Sequence, residues 1–180
     1  LALLGRDLVH VLPDGERRRV RIVETEAYEP DDPASHSFRG PTPRAATMFG
    51  EPGHLYVYLI YGMHHCLNVV TGSIGHGAAV LLRAGEPREG MDGMAIARGT
   101  DDPRAWCSGP AKLAQALGLD LVANGADLLG VGPVRLLPGR AVPEEDVERG
   151  PRVGIREGRH HAWRFAERGT PWRSAPSLTP

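Results

Sequence analysis

The sequence predicts an α/β protein of the α+β type, one domain over residues 1–180 with a largely antiparallel sheet and flanking helices. Three patterns carry that expectation. The chain opens as strand, turn and strand, a tyrosine-rich strand is followed by a second apolar one, and one later stretch has a helix's start and stop. With 23 glycines and 16 prolines in 180 residues, many connections should be turns and loops. The length suffices for a substantial core.

Taken in order, Leu8 to Leu12 is a strand, Pro13-Asp14-Gly15 a turn, and Arg19 to Glu26 the returning strand. Arg17-Arg18-Arg19 forms a small basic cluster beside that turn. From Glu29 to Gly53, Pro, Asp, Ser and Gly recur without period, which predicts a long loop, and such loops are usually functional or disordered. Leu55 to Tyr61 and His65 to Val70 read as adjoining antiparallel strands, and Ala78 to Arg83 as a buried strand ending on a charge. A helix is expected around Met91 to Arg98 and a clearer one from Ser108 to Gly118. There Ser108 serves as cap, Pro110 suits the first turn and Gly118 the stop. Val134 to Leu137 and Arg152 to Ile155 are short strand candidates, and the tail from Gly169 is irregular.

Charge bounds the function. The formal net charge is -1, which counts against a bulk electrostatic nucleic-acid binder but not against a locally basic face. The basic residues are arginines apart from Lys112, and arginine is the better bidentate partner for phosphate. Cys66 and Cys107 form no metal-ligand pair, so a reducing, cytoplasmic setting is expected. No apolar run approaches a membrane span and no signal peptide is visible.

Three of the four tyrosines fall within Tyr56-Val57-Tyr58-Leu59-Ile60-Tyr61. Strand alternation puts Tyr56, Tyr58 and Ile60 on one face, and Tyr61 lands at the edge where Gly62 lets the chain turn. Such a surface suits a flat ligand such as a nucleobase, although a core strand with amphipathic rings fits the same pattern. Glu24, Glu26 and Tyr28 alternate onto one face as well: a pair of carboxylates and a phenol, suited to general-base chemistry or else a solvated strand face. Arg83 could pair with a carboxylate and keep it ionised, or mark where its strand meets water. Asn68 could read a base edge, or simply end a strand. Ser108-Gly109-Pro110 with Lys112 places backbone amides and the sole lysine at a helix N-terminus, an anion site or an ordinary cap. The histidines, among them His64-His65 and His160-His161, form no metal motif, and a nucleophile elbow is absent.

The blocks Arg21-Ile22-Val23-Glu24-Thr25-Glu26-Ala27-Tyr28, Ala34-Ser35-His36-Ser37, Thr42-Pro43-Arg44, Met48-Phe49, Leu55 to Asn68, Leu81-Leu82-Arg83-Ala84, Ser108 to Leu113, Arg152-Val153-Gly154-Ile155 and Pro171-Trp172 occur in one order along the chain. Together they closely resemble the alkyladenine (3-methyladenine) DNA glycosylase family. The resemblance implies a curved antiparallel sheet and a monofunctional enzyme that flips damaged purines out of double-stranded DNA and hydrolyses their N-glycosidic bond. It implies Glu26 as the base that activates water, with Arg83 and the carbonyl of Val153 positioning that water. It implies a pocket of Tyr28, His36, Tyr58, Asn68 and Leu81, with Asn68 at the floor. Tyr61 would be the wedge that fills the vacated stack, Met63 would sit beside it, and Thr42 and Lys112 would contact the DNA backbone. No metal, nicotinamide or covalent lysine is expected, and the protein should be a monomer. Departures from the family pattern are Ala45 in place of the usual Asn, His64 in place of a frequent aromatic, and a loop before His36 about one residue short. A damaged-DNA binder without activity and a metal-dependent hydrolase are the rival readings; retention of Glu26 with Arg83 argues against the first.

Overall fold

The computed structural model describes residues 1–176 and 178. Eight strands make one antiparallel sheet: β1 Asp7–Val11, β2 Arg17–Tyr28, β3 Leu55–Ile60, β4 His64–Thr71, β5 Ala78–Glu89, β6 Val134–Leu137, β7 Val147–Gly150 and β8 Arg164–Glu167. The spatial order is β3-β4-β5-β2-β1-β6. Strand β2 is the spine. One edge pairs with β5 along nearly its full length, and the other is shared by β1 over residues 17–21 and by β8 over residues 24–26. Strand β7 then pairs with β8. Three helices, α1 Met91–Arg98, α2 Pro103–Trp106 and α3 Pro110–Leu117, cover one face of the sheet. None is long and apolar enough to cross a membrane.

Alternation along β3 and β4 separates two environments. Leu55, Val57, Leu67 and Val69 pack with Leu8, Val20 and Ile22 against Met94, Leu113 and Leu117 of the helices. Fully burying side chains of this kind contributes about 1.5–3 kcal/mol each. Tyr56, Tyr58 and Val70 point the other way, onto a smaller cluster with Ala45, Met48 and Phe49. Helix α3 forms because Leu113, Ala114, Ala116 and Leu117 give it one buried face, and Gly118 ends it at φ 68°.

Several expectations need correction. The loop from Glu29 to Gly53 contains a helical turn at Ala46–Phe49, held inward by Met48 and the buried Ala45. Tyr61 is outside β3, in the turn. Strand β5 does not stop at Arg83 but runs to Glu89, because Arg83 is buried and charge-paired rather than solvated. Ser108 does not cap α3: Gly109 holds the cap position without a side-chain bond, and the Ser108 hydroxyl instead receives the Lys112 ammonium at 3.4 Å. Residues 152–155 are not a strand. The strands in that region are β7 and β8, whose partners lie in each other and in β2. The short helix α2, capped by Asp102, was also not anticipated.

Candidate active site

One irregularity in the sheet builds the site. Along the β2–β5 ladder Ile22 faces Gly85, Glu24 faces Ala84, and Thr25 faces Leu82. The register therefore steps over Val23 on β2 and Arg83 on β5. Paired bulges of this kind re-aim side chains. Here they place the Arg83 guanidinium between the carboxylates of Glu24 and Glu26, which regular alternation already puts on one face. Neither carboxylate is solvated; both residues are 0% exposed.

Glu26 is held from three directions. Its Oε1 accepts the Val153 amide at 2.7 Å and lies 3.2 Å from Arg83 Nη1. Its Oε2 accepts the Tyr28 hydroxyl at 2.9 Å. Val153 therefore also meets Glu26 directly, through its amide N–H. Residues 151–155 leave the sheet so that this N–H can turn inward instead of joining a ladder. Burial, followed by the Glu26 charge, pushes the Tyr28 phenol far above its ordinary range, so it remains a proton donor to the carboxylate.

Tyr28, Arg83 and Val153, the three partners of Glu26, are also walls of a cavity of about 420 Å³. His36, Tyr56, Tyr58, Asn68, Leu81 and Cys66 line it too, and Tyr61 and His64 stand at its edge. The ring of His36 meets Tyr58 edge-on, with centroids 4.5 Å apart, and its Nδ1 is 2.9 Å from the Tyr56 hydroxyl. Burial, and then the nearby Arg44 charge, lowers the His36 pKa to about 4, so the imidazole is neutral at physiological pH. Burial likewise raises the Tyr56 phenol to about 12. Asn68 lies in mid-strand rather than at a strand end, and its Nδ2 donates to the Tyr56 carbonyl at 3.1 Å.

The remaining sequence candidates lie away from the carboxylates. Tyr61 is 82% exposed and Met63 69% exposed, both in the β3–β4 turn. That turn has φ 53° at Tyr61 and φ 69° at Gly62, the sign pattern of a type I′ hairpin turn. Thr42 is exposed and its hydroxyl accepts the Ala45 amide at 3.2 Å. Lys112 is exposed on α3, whose neighbours Pro110 and Ala111 reach the cavity wall. Among the described residues no three of His, Cys, Asp and Glu gather as a metal site.

Four residues around the cavity had no assigned role from sequence. Arg152 lies between Tyr28 and Trp163, 4.6 and 5.2 Å from their ring centroids. It also pairs with Asp32, whose carboxyl is held below its usual range: burial would raise it, but the bonds from Arg152 and the Ala34 amide outweigh burial. Arg44 sits 5.2 Å from the Tyr58 centroid and donates to the Leu59 carbonyl. Asp32 and Arg152 are 120 residues apart, so no local spacing could reveal the pair. The position of Arg152 directly before Val153 was the one available hint.

The arrangement sets a buried, donor-held carboxylate beside a ring-walled cavity. Residues 1–171 match the family model described as methylpurine-DNA glycosylase. A protein of Carboxydothermus hydrogenoformans named "Putative 3-methyladenine DNA glycosylase" is 51% identical over 145 residues, 81% of this chain and 76% of the relative. Proteins of the same name from Rhizobium etli and Streptomyces avermitilis are 49% and 47% identical, covering 96% and 91% of this chain and 83% and 78% of the relatives. The chain belongs to the methylpurine-DNA glycosylase family.

Proposed function

We propose that this family member is a monofunctional glycosylase acting as a monomer on double-stranded DNA, and that it hydrolyses the N-glycosidic bond of a flipped, damaged purine. The observation that carries the reading is the Glu26 carboxylate, fixed by Tyr28, Arg83 and the Val153 amide behind the wall of a cavity sized for one base. Its Oε1 accepts the Val153 amide and is ion-paired with Arg83, while among the described residues its Oε2 accepts only the Tyr28 hydroxyl. The second acceptor position of Oε2 is where a water would be held.

In the reaction the bond from C1′ to the purine nitrogen breaks and its electron pair leaves with the base. Water adds its oxygen to C1′, and its proton passes to Glu26. The products are a free purine and an abasic sugar. Extrusion costs a few kcal/mol of unstacking. Stacking against Tyr28 on one side and the His36–Tyr58 pair on the other offsets it by roughly 1–3 kcal/mol per ring. Asn68 and Leu81 floor the base pocket, and Tyr61, with Met63, enters the gap left in the duplex. Thr42 and Lys112 contact the DNA backbone. Lys112 does not line the cavity, so among the described residues no lysine amine is placed to form a Schiff base with the sugar.

Alkylated purines such as 3-methyladenine and 7-methylguanine are the preferred substrates, because they carry a positive charge and leave as neutral bases. Deaminated purines leave as anions unless protonated, and the neutral His36 supplies no proton for them at pH 7. They should therefore be processed more slowly.

The reading is tested by single-turnover excision of 7-methylguanine from duplex DNA. Glu26→Gln should lose about 10²–10⁴-fold in rate, while binding to a duplex with an abasic analogue changes little. Base release by this variant at the wild-type rate would remove Glu26 from the mechanism.

A further inference from the structure

Glu24, which the reaction above does not use, is saturated with donors. Its Oε1 accepts Arg83 Nε at 3.2 Å, Arg164 Nε at 2.6 Å and the Ser174 hydroxyl at 3.0 Å. Its Oε2 accepts the Ser174 amide at 2.6 Å. Arg83 Nε and Nη2 also donate to Ser174 Oγ, at 3.3 and 3.1 Å. Arg164 is anchored in turn by the carbonyls of Ser174 and Pro176. The buried set holds two carboxylates and two guanidiniums, so its formal charge is balanced. Neither Glu24 nor Glu26 is itself a cavity wall, but Glu26 is bonded to the walls Tyr28 and Val153, whereas Glu24 is bonded to Arg83, Arg164 and Ser174.

We propose that Glu24 is a positioning residue for base excision: together with the Ser174 hydroxyl that it binds, it occupies the Nε–Nη2 edge of Arg83, so that only Nη1 reaches Glu26. A guanidinium with a free edge pairs with a carboxylate through two parallel bonds. Released from Glu24, Arg83 would turn that fork onto Glu26 and cover the Oε2 position needed for water. Glu24 therefore keeps Glu26 half-engaged, with Oε2 left open to accept a proton from water. The other groups facing Glu26 are Tyr28 from its own strand, the Val153 amide, and Cys66 of β4, whose thiol burial pushes up. None of these can replace Glu24 at the far edge of Arg83. The inference rests on the proposed role of Glu26.

The test is Glu24→Gln, which keeps the shape and removes the charge. Single-turnover excision of 7-methylguanine at pH 7 should fall roughly 10²-fold, with affinity for an abasic-analogue duplex within about twofold of wild type. The acid limb of the rate–pH profile should move down by about one pH unit, as Arg83 binds the Glu26 carboxylate more fully. A merely structural role would lower stability and leave that limb in place, which overturns the proposal. If Glu24→Gln does not fold, Ser174→Ala, which removes only the bridging hydroxyl, should move the limb in the same direction by less; an unmoved limb again overturns it. A crystal structure of Glu24→Gln should show both Glu26 oxygens engaged by Arg83. That readout separates the two claims. Wild-type protein that releases no base would defeat the proposed activity, whereas an unmoved Arg83 defeats the role of Glu24 alone.

Discussion

The two ends of the β3–β4 hairpin are built to opposite rules. At the inner end Tyr56 and Asn68 face each other across the ladder, both buried, with the Asn68 amide donating to the Tyr56 carbonyl. At the outer end Tyr61 and Met63 stand almost bare. One end has its partners within the protein, and the other lacks them. The inner end is therefore a preformed receptacle, and the outer end gains contacts only when something else arrives. Stability and recognition should separate along a single hairpin with six paired residues on each arm.

Leu81 tests the inner end with the largest expected effect. It is 4% exposed, pairs with Asn68 and walls the cavity. Leu81→Ala should lower unfolding free energy in urea by about 2 kcal/mol or more and also weaken base release. Full stability in this variant would mean that the floor is not part of the packed structure. Tyr61→Ala tests the outer end. Stability should stay within about 0.5 kcal/mol, while single-turnover excision loses the equivalent of roughly 1–3 kcal/mol of stacking. An unchanged excision rate on duplex substrate would break the comparison.

The smallest effect concerns pH. With its pKa lowered to about 4 by burial and by Arg44, folded His36 refuses a proton that the unfolded chain accepts near its ordinary value. Its contribution to stability is complete above pH 6.5 and is lost progressively as the pH falls toward 4. An imidazole titration followed by NMR should give a midpoint near 4, and His36→Asn should remove that part of the acid-side decline. A midpoint near 6.5 would show that the inner receptacle is open to water.

Local pattern made much of this legible. Turn residues and two-residue alternation located β1 to β4 and β6 to within a few residues, and a glycine stop placed the end of α3. The clustering of Glu24, Glu26 and Tyr28 followed from the same alternation. What escaped depended on distant partners. Local pattern leaves Arg83 either a carboxylate partner or a strand end; Glu24 and Glu26 on the neighbouring strand, with Ser174, decide for the first and keep it inside. Strands β7 and β8 are four residues each and carry charges that find partners elsewhere, such as Arg164 on Glu24. The segment 152–155 has a strand's composition, yet its amide is needed by Glu26 more than by any neighbouring ladder.

The wiring of Glu24 also has a consequence for biosynthesis. Its partners Arg164 and Ser174 lie 140 and 150 residues further along the chain. A nascent polypeptide that has emerged only as far as the central strands holds an acid that cannot be desolvated without large cost. The ribosome must deliver almost everything before that charge can be sequestered, so the sheet's middle should close late and cooperatively. Fragments released early would be left unfinished at their most polar point.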